Sequence, residues 1–515
     1  MRAINTLLCF VVSALIAVVV FEVGLRVLGK GPQTTINRFD PNTGWSLTPG
    51  AHGERSTGEF HVRYDVNELG LRDDPMSSPA KPAGTFRVLV LGDSFVQGYT
   101  VDRRDLFVDL LENWWQAEGR KVDVVNVGTE GWSTDQEVAW FEKNGAAFQP
   151  DVVVICPYEN DIYWSGQTHY RRFPKPRYTP FGDREQGVLQ DPGPKPWYEH
   201  TAIGNTWSLW REPTVRWQPV EGRSLEMEHA AYFKTPPSFL VDAIARVRGA
   251  LTALRHHCTS VGAKLVMVPI PNKAAIESGA RATLERSLRV PTDTWSPDQP
   301  VDTFVGLAQE LGIEVFDPRP GLRAAAAEGK PLYYQRDWHF DPHGNHVFAS
   351  LLHDEFERAG LFPATVAKTV TATMPLEPEP SRVPRWAFWF GGLWIALSCL
   401  YASTYRDEPW WKAVLGVGGM LGAVFAIAIG GGALLSLVPP QIATAILIVA
   451  VAALLSFIVY KLGARLSTIT ELFGAFTRRG HWYLMPLVVV LLTVGSLLVV
   501  AASSPLIAPF IYTLF

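Results

Sequence analysis

Short apolar runs alternate with amphipathic stretches through the middle of the chain. Arg87 to Leu91 is a run of Val and Leu entered from Pro and Gly and left through Gly92-Asp93, the pattern of a buried strand ending in a sharp turn. Between Asp105 and Gly119, Leu106, Val108, Leu110, Leu111 and Trp114 fall at helical spacing with a polar opposite face, and residues 122–127 are strand-like again. Strand, helix, strand predicts the right-handed unit of a parallel sheet. The alternation repeats with a helix over Gln136–Phe148 and a strand over 151–156. After a break come a helix over Phe239–Gly262, a strand over Lys264–Ile270, a helix over Val301–Leu311 and a short strand over Ile313–Asp317. A loop over Asp337–Gly344 precedes a closing helix over His346–Ala359. The expected fold class is α/β, a three-layer sandwich around a parallel sheet.

Two stretches depart from this rhythm. Residues 31–83 are rich in Gly, Pro and charges with short alternating pieces such as Phe60-His61-Val62-Arg63-Tyr64, which predicts small strands or hairpins. Residues 163–236 form a long insertion dense in Pro, Trp, Tyr, Arg and Gly, and its aromatic content argues against simple disorder. Trp164, Tyr170, Trp197, Trp207, Trp210 and Trp217 either line a groove that stacks on sugar rings or pack a satellite core over the sheet edge. Trp164 and Tyr170, which follow directly on Asn160, are the candidates for contact with substrate.

The ends of the chain are apolar. Ile4 to Phe21 carries no charge and is long enough to span a bilayer; with no small-residue cleavage pattern after it, an uncleaved signal anchor is expected rather than a cleaved signal peptide. Trp386–Tyr405, Trp411–Val438, Ile442–Tyr460 and Trp482–Ser503 are further candidate spans. Arg406 and Lys412 flank one loop, and Lys461, Arg465, Arg478 and Arg479 crowd another. If these positive loops stay inside, the large domain lies outside the cytoplasm, on a multi-pass protein of the cell (inner) membrane. The expected organisation is therefore a signal anchor at 1–30, an extracytoplasmic lead-in at 31–83, the α/β domain at 84–362, a linker at 363–385 and a membrane domain of about four helices at 386–515.

Charge and cysteine content narrow the chemistry. A net charge of −4 over 515 residues gives no electrostatic case for nucleic acid, and four cysteines without framework spacing do not predict disulfides. His256-His257-Cys258 suggests a metal site only until helical geometry is considered: adjacent residues on a helix diverge by about 100°. No ligand spacing, P-loop or dinucleotide fingerprint is present, so neither metal nor organic cofactor is expected.

Four blocks then stand in order, each after a strand: Gly92-Asp93-Ser94, Asn126-Val127-Gly128-Thr129-Glu130-Gly131, Tyr158-Glu159-Asn160-Asp161, and Asp337-Trp338-His339. Serine, glycine, asparagine and Asp/His in this order resemble the SGNH (GDSL-type) hydrolase family over residues 84 to 360, whose sheet is flavodoxin-like. The stretch from Leu466 to the end resembles a small uncharacterised membrane-protein family, and the spans before it resemble another. Val66 to Arg72 looks like the lead-in before membrane-anchored members of the family and carries no chemistry of its own.

The resemblance implies a serine nucleophile at Ser94, a base at His339 and an orienting carboxylate at Asp337, the division of labour that ester cleavage requires. It also implies an oxyanion hole from the backbone amides of Ser94 and Gly131 and the side-chain amide of Asn160. Asp93 joins Trp164 and Tyr170 as a candidate for substrate contact. Tyr158 stands where the family has glycine, which implies a narrower approach, and the last block has one residue fewer than Asp-x-x-His. His343 is the rival base. The implied function is a membrane-anchored esterase acting on O-acyl, in particular acetyl, esters of a cell-surface or exported glycan, with glycan-assembly proteins as partners. Its alternatives are an O-acyltransferase modifying an exopolysaccharide and a non-catalytic glycan-binding scaffold.

Overall fold

The computed structural model describes residues 36–362 apart from 58, 186 and 212–214, with isolated positions between 18 and 22 and between 394 and 419. The five predicted spans lie, but for scattered residues, outside the described ones, and among the described residues no helix is long and apolar enough to cross a membrane. The chain divides into two units, Glu22–Met374 and a second made of Met1–Phe21 with Pro375–Phe515. In the second, the indole N–H of Trp394 donates to the carbonyl of Val414 at 2.8 Å.

Within the first unit the lead-in folds as two antiparallel hairpins, β1 (Asn37–Asp40) with β2 (Gly44–Leu47) and β3 (His52–Ser56) with β4 (His61–Asp65). Their apolar residues Ile36, Leu47, Phe60, Val62 and Tyr64 form a small core of their own, and Trp45 enters the main one. The lead-in is thus part of the α/β body.

The body follows in the predicted order. Strand β5 (Phe86–Gly92), a one-turn helix α1 (Ser94–Gln97), helix α2 (Phe107–Ala117), β6 (Val122–Gly128), α3 (Thr134–Phe148), β7 (Val152–Cys156) and α4 (Glu159–Trp164) precede the insertion. The insertion carries hairpin β8 (His169–Tyr170) with β9 (Phe173–Pro174), helix α5 (Ala202–Arg211), and hairpin β10 (Arg216–Val220) with β11 (Arg223–Glu226). Then come α6 (Ser238–Val261), β12 (Lys264–Met267), α7 (Lys273–Ile276), α8 (Ser278–Leu288), α9 (Gln299–Leu311), β13 (Glu314–Val315), α10 (Arg319–Ala326) and α11 (Pro342–Arg358).

The five main strands pair in the order β13-β12-β7-β5-β6, all parallel. Every residue of β5 is buried, as a parallel sheet covered on both faces demands. Its side chains alternate between the two cores. Leu89 and Leu91 point to the side where Val138 and Phe141 of α3 meet Val247, Leu251 and Leu254 of α6. Val88 and Val90 point to the side of Leu111 and Trp115 from α2 and Phe348, Leu352 and Phe356 from α11. These are the three expected layers.

Three expectations needed correction. Strand β12 stops at Met267 rather than Ile270, because Pro269 has no N–H to give to the ladder. The last strand is only Glu314–Val315, an edge strand cut short before Pro318. Helices α7, α8 and α10 were not anticipated: α8 buries only Ala280, Leu284 and Leu288, too sparse a stripe to read as a period.

Candidate active site

Strand register brings three of the four sequence blocks to one edge, and the hydrogen bond from His339 to Ser94 brings the fourth. Gly92 at the end of β5 lies level with Gly128 of β6 and Cys156 of β7, so Ser94, Gly131 and Asn160 all leave the carboxyl end of the sheet, where open α/β folds bind ligands. Gly128 is required there: a Cβ would stand 2.0 Å from the backbone N of Gln97, so only glycine lets α1 close onto β6.

The Ser94 hydroxyl lies 2.7 Å from Nε2 of His339, and Nδ1 of His339 lies 2.6 Å from Oδ1 of Asp337. The same carboxylate oxygen accepts the His339 backbone N–H at 3.0 Å. With Nδ1–H donated to Asp337, Nε2 is left to accept the hydroxyl proton. Burial pushes the Asp337 carboxyl up, but the hydrogen bond and charge of His339 outweigh it and hold the acid below its ordinary value. Asp337 therefore stays ionised and fixes one tautomer. His343, the rival base, is the second residue of α11.

The imidazole is held between two rings that sequence reasoning did not single out. Phe95 lies 4.5 Å from it, centroid to centroid, and Tyr99 stacks at 5.2 Å with 22° between planes. Asp93, expected to meet substrate, is 1 % exposed and accepts the Phe95 N–H at 2.9 Å. It caps the turn beneath the serine and, pushed up to about 6 by burial, is a structural carboxyl.

Gly131 takes a left-handed backbone, φ +72°. Its loop is fastened to α1, since the Glu130 N–H donates to the Gln97 side chain and the Asn126 amide donates to the Val96 carbonyl at 2.8 Å. Tyr170 lies beside this glycine: a Cβ at 131 would come within 3.4 Å of its ring. The Tyr170 ring in turn contacts Trp45 at 5.3 Å and Trp164 at 4.7 Å. Trp164 is one ring further out, its indole N–H donated to Glu228 at 2.7 Å. Asn160 lies in the first turn of α4, and its Oδ1 is buried without a hydrogen-bond partner. Tyr158, in the place of the family's glycine, packs its ring on Phe95 at 4.7 Å.

The lead-in braces this edge on three sides. Arg72, wholly buried, donates to the carbonyls of Gln97, Gly98, Val101 and Arg63 at 2.6–3.1 Å, clamping the end of α1. The Glu59 carboxylate accepts the N–H groups of Arg336 and Asp337, each at 2.9 Å. Arg55 pairs with Glu130 at 2.9 Å and lies over the Tyr99 ring at 3.6 Å. From the other side the Lys273 ammonium donates to the carbonyls of Tyr334 and Gln335 at 2.7 and 3.1 Å. The only local signal for these residues was the strand-like alternation around Phe60; their contacts span up to 278 positions of sequence.

Residues 233–382 match the family described as SGNH hydrolase-like domain, acetyltransferase AlgX. Residues 466–515 match DUF5989, a family of unknown function. Solved structures with a similar fold include a lipase/acylhydrolase from Enterococcus faecalis, 16 % identical over 53 % of this chain and 96 % of that one, TM-score 0.29. An acetyl xylan esterase, AlAXEase, is 12 % identical over 52 % and 99 %, TM-score 0.31. The psychrotrophic esterase EstA from Pseudoalteromonas sp. is 11 % identical over 53 % and 97 %, TM-score 0.29. At these values nothing about substrate carries over. No curated protein matches the chain. Residues 233–382 are thus similar to an SGNH hydrolase-like domain, and the enzyme class is serine ester hydrolase or acyltransferase.

Proposed function

We propose that the chain is a membrane-anchored serine esterase that removes O-acyl groups, acetyl foremost, from a cell-surface or exported glycan through an acyl-serine at Ser94. One observation carries it: the unbroken relay from Ser94 Oγ through His339 to Asp337 at 2.7 and 2.6 Å. In the first step Oγ attacks the ester carbonyl while its proton passes to Nε2. The negative charge that develops on oxygen is met by the amides of Ser94 and Gly131 and the side chain of Asn160, each such donor worth about 3 kcal/mol. Collapse expels the sugar oxygen, which takes the proton from Nε2 and leaves as a hydroxyl. Water then gives a proton to Nε2, attacks the acyl carbon and releases the acid, restoring Ser94.

If a second sugar hydroxyl replaces water in that last step, the same groups transfer the acyl group. The match to a model described as an acetyltransferase supports this O-acyltransferase reading. The Tyr170 ring beside Gly131 is an aromatic group next to the expected path of either sugar. Anchoring at an inner membrane, with the domain on the extracytoplasmic side, is supported by the five apolar runs and their basic loops.

Labelling with a fluorophosphonate and assay on a chromogenic acetyl ester test the proposal. The wild-type chain is expected to label at Ser94 and turn over ester; Ser94→Ala is expected to lose both. Turnover that survives Ser94→Ala would refute the acyl-serine. A dependence of turnover on added glycan acceptor separates transferase from hydrolase.

A further inference from the structure

Among the described residues, one part of the insertion joins neither the relay nor the buried clusters. Trp197, Tyr198 and Trp207 are 79, 41 and 52 % exposed, an unusual display of large aromatics on one short segment. They belong to one stiff elbow. The turn Trp197–His200 runs into α5, Thr201 donates to the Tyr198 carbonyl at 2.6 Å, and the Gly204 N–H donates to the Thr201 hydroxyl at 2.9 Å. Ser208 donates to Glu199 at 2.9 Å, and Gly204 sits so close that a Cβ would be 1.9 Å from the Tyr198 carbonyl oxygen.

The first turn of α5 is held by a residue from the start of the chain. The N–H groups of Ala202 and Ile203 donate to the two carboxylate oxygens of Glu22 at 2.8 and 3.0 Å. Glu22 directly follows Phe21, the last residue of the uncharged run from Ile4. The two bonds to Glu22 thus tie the elbow to the residue that follows that run in sequence. Trp and Tyr, apolar in body with one polar N–H or O–H, concentrate at the level of lipid headgroups.

We propose that the elbow of residues 197–211 rests in the headgroup layer of the bilayer that holds the N-terminal run, fixing the height and tilt of the Ser94 edge above the membrane. This rests on the anchored reading above. Its chemistry is that of an interfacial helix, with aromatic side chains inserted among phospholipids and the polar backbone left in water.

The test uses the full chain reconstituted in vesicles of phosphatidylethanolamine and phosphatidylglycerol. p-Benzoylphenylalanine is placed singly at Trp197, Trp207 or, within the N-terminal run, Phe10, with fluorophosphonate labelling of Ser94 reporting that each variant is folded. Irradiation is expected to give phospholipid adducts at all three positions. Adducts at Phe10 with none at Trp197 and Trp207 would overturn the interfacial elbow while leaving the anchor standing. No adduct at any position would remove the anchor and the elbow with it. Cross-links from Trp197 to glycan in place of lipid would also overturn it. The double variant Trp197→Ser with Trp207→Ser is expected to keep wild-type turnover of a soluble ester and to lose vesicle-dependent protection of residues 197–211 from hydrogen exchange.

Discussion

The lead-in, residues 31–83, and the insertion, residues 163–236, both lie outside the sheet, yet they meet the Ser94 edge by different means. The insertion approaches mainly with rings, Tyr170 beside Gly131 and Tyr232, whose hydroxyl is donated to Glu159 at 2.7 Å, together with one buried ion pair, Lys175 with Asp135. The lead-in approaches with buried polar side chains, Arg72 under α1, Glu59 on the Asp337 loop and Arg55 on the Gly131 loop. Rings tolerate sliding, whereas a hydrogen bond weakens steeply once misaligned. The region rich in tryptophan thus shapes the surroundings of the site, and the plainer one sets its geometry.

If that division is right, the largest effect comes from Arg72. Arg72→Met keeps the apolar stem and leaves the carbonyls of Gln97, Gly98 and Val101 without their buried donor. Each orphaned acceptor costs roughly 1–3 kcal/mol, so unfolding in denaturant should shift by about 3 kcal/mol or more, with loss of fluorophosphonate labelling at Ser94. A variant as stable and as reactive as wild type would break the comparison.

Glu59→Gln is the next step down. Its amide keeps one oxygen for the N–H groups of Arg336 and Asp337, where the carboxylate uses both. The loop should loosen without unfolding, and small misplacement of a base costs about 10- to 100-fold in rate. The expected outcome is a kcat lowered in that range with KM and unfolding midpoint little changed. A change in KM alone would place Glu59 among substrate contacts.

What could be read from the sequence follows the same line. The parallel sheet was legible because β5, β6 and β7 are mostly Val, Leu and Ile, separated by amphipathic helices, and the relay because its residues lie in short motifs. The bracing was not, since Arg72 and Glu59 act at backbone groups distant in sequence, and nothing in their neighbours distinguishes a clamp from a solvated charge. Asp93 was misread for a related reason: a turn-capping carboxylate and a ligand-facing one have the same sequence context. In the insertion, composition pointed to rings near the site; Tyr170 lies beside Gly131, while Trp217 packs against the satellite core of Leu225, Tyr232, Phe233 and Trp295.

The smallest effect tests one polar reach of the insertion toward the edge, from Tyr232 to Glu159. Burial pushes the Glu159 carboxyl, next to Asn160, from 4.5 up to about 7, although the Tyr232 hydroxyl bonds it and acts to lower it. Because the folded value lies above the unfolded one, the folded chain binds the extra proton between pH 4.5 and about 7. Stability in that window therefore falls as pH rises, and it is fully present only below pH 4.5. Glu159→Gln retains an oxygen for Tyr232 and cannot ionise. It should match wild type at pH 4.5 and exceed it by on the order of 1 kcal/mol at pH 8, measured as the difference in denaturant unfolding. A difference independent of pH would mean that Glu159 stays accessible to water and that its bond to Tyr232 does not couple to its titration.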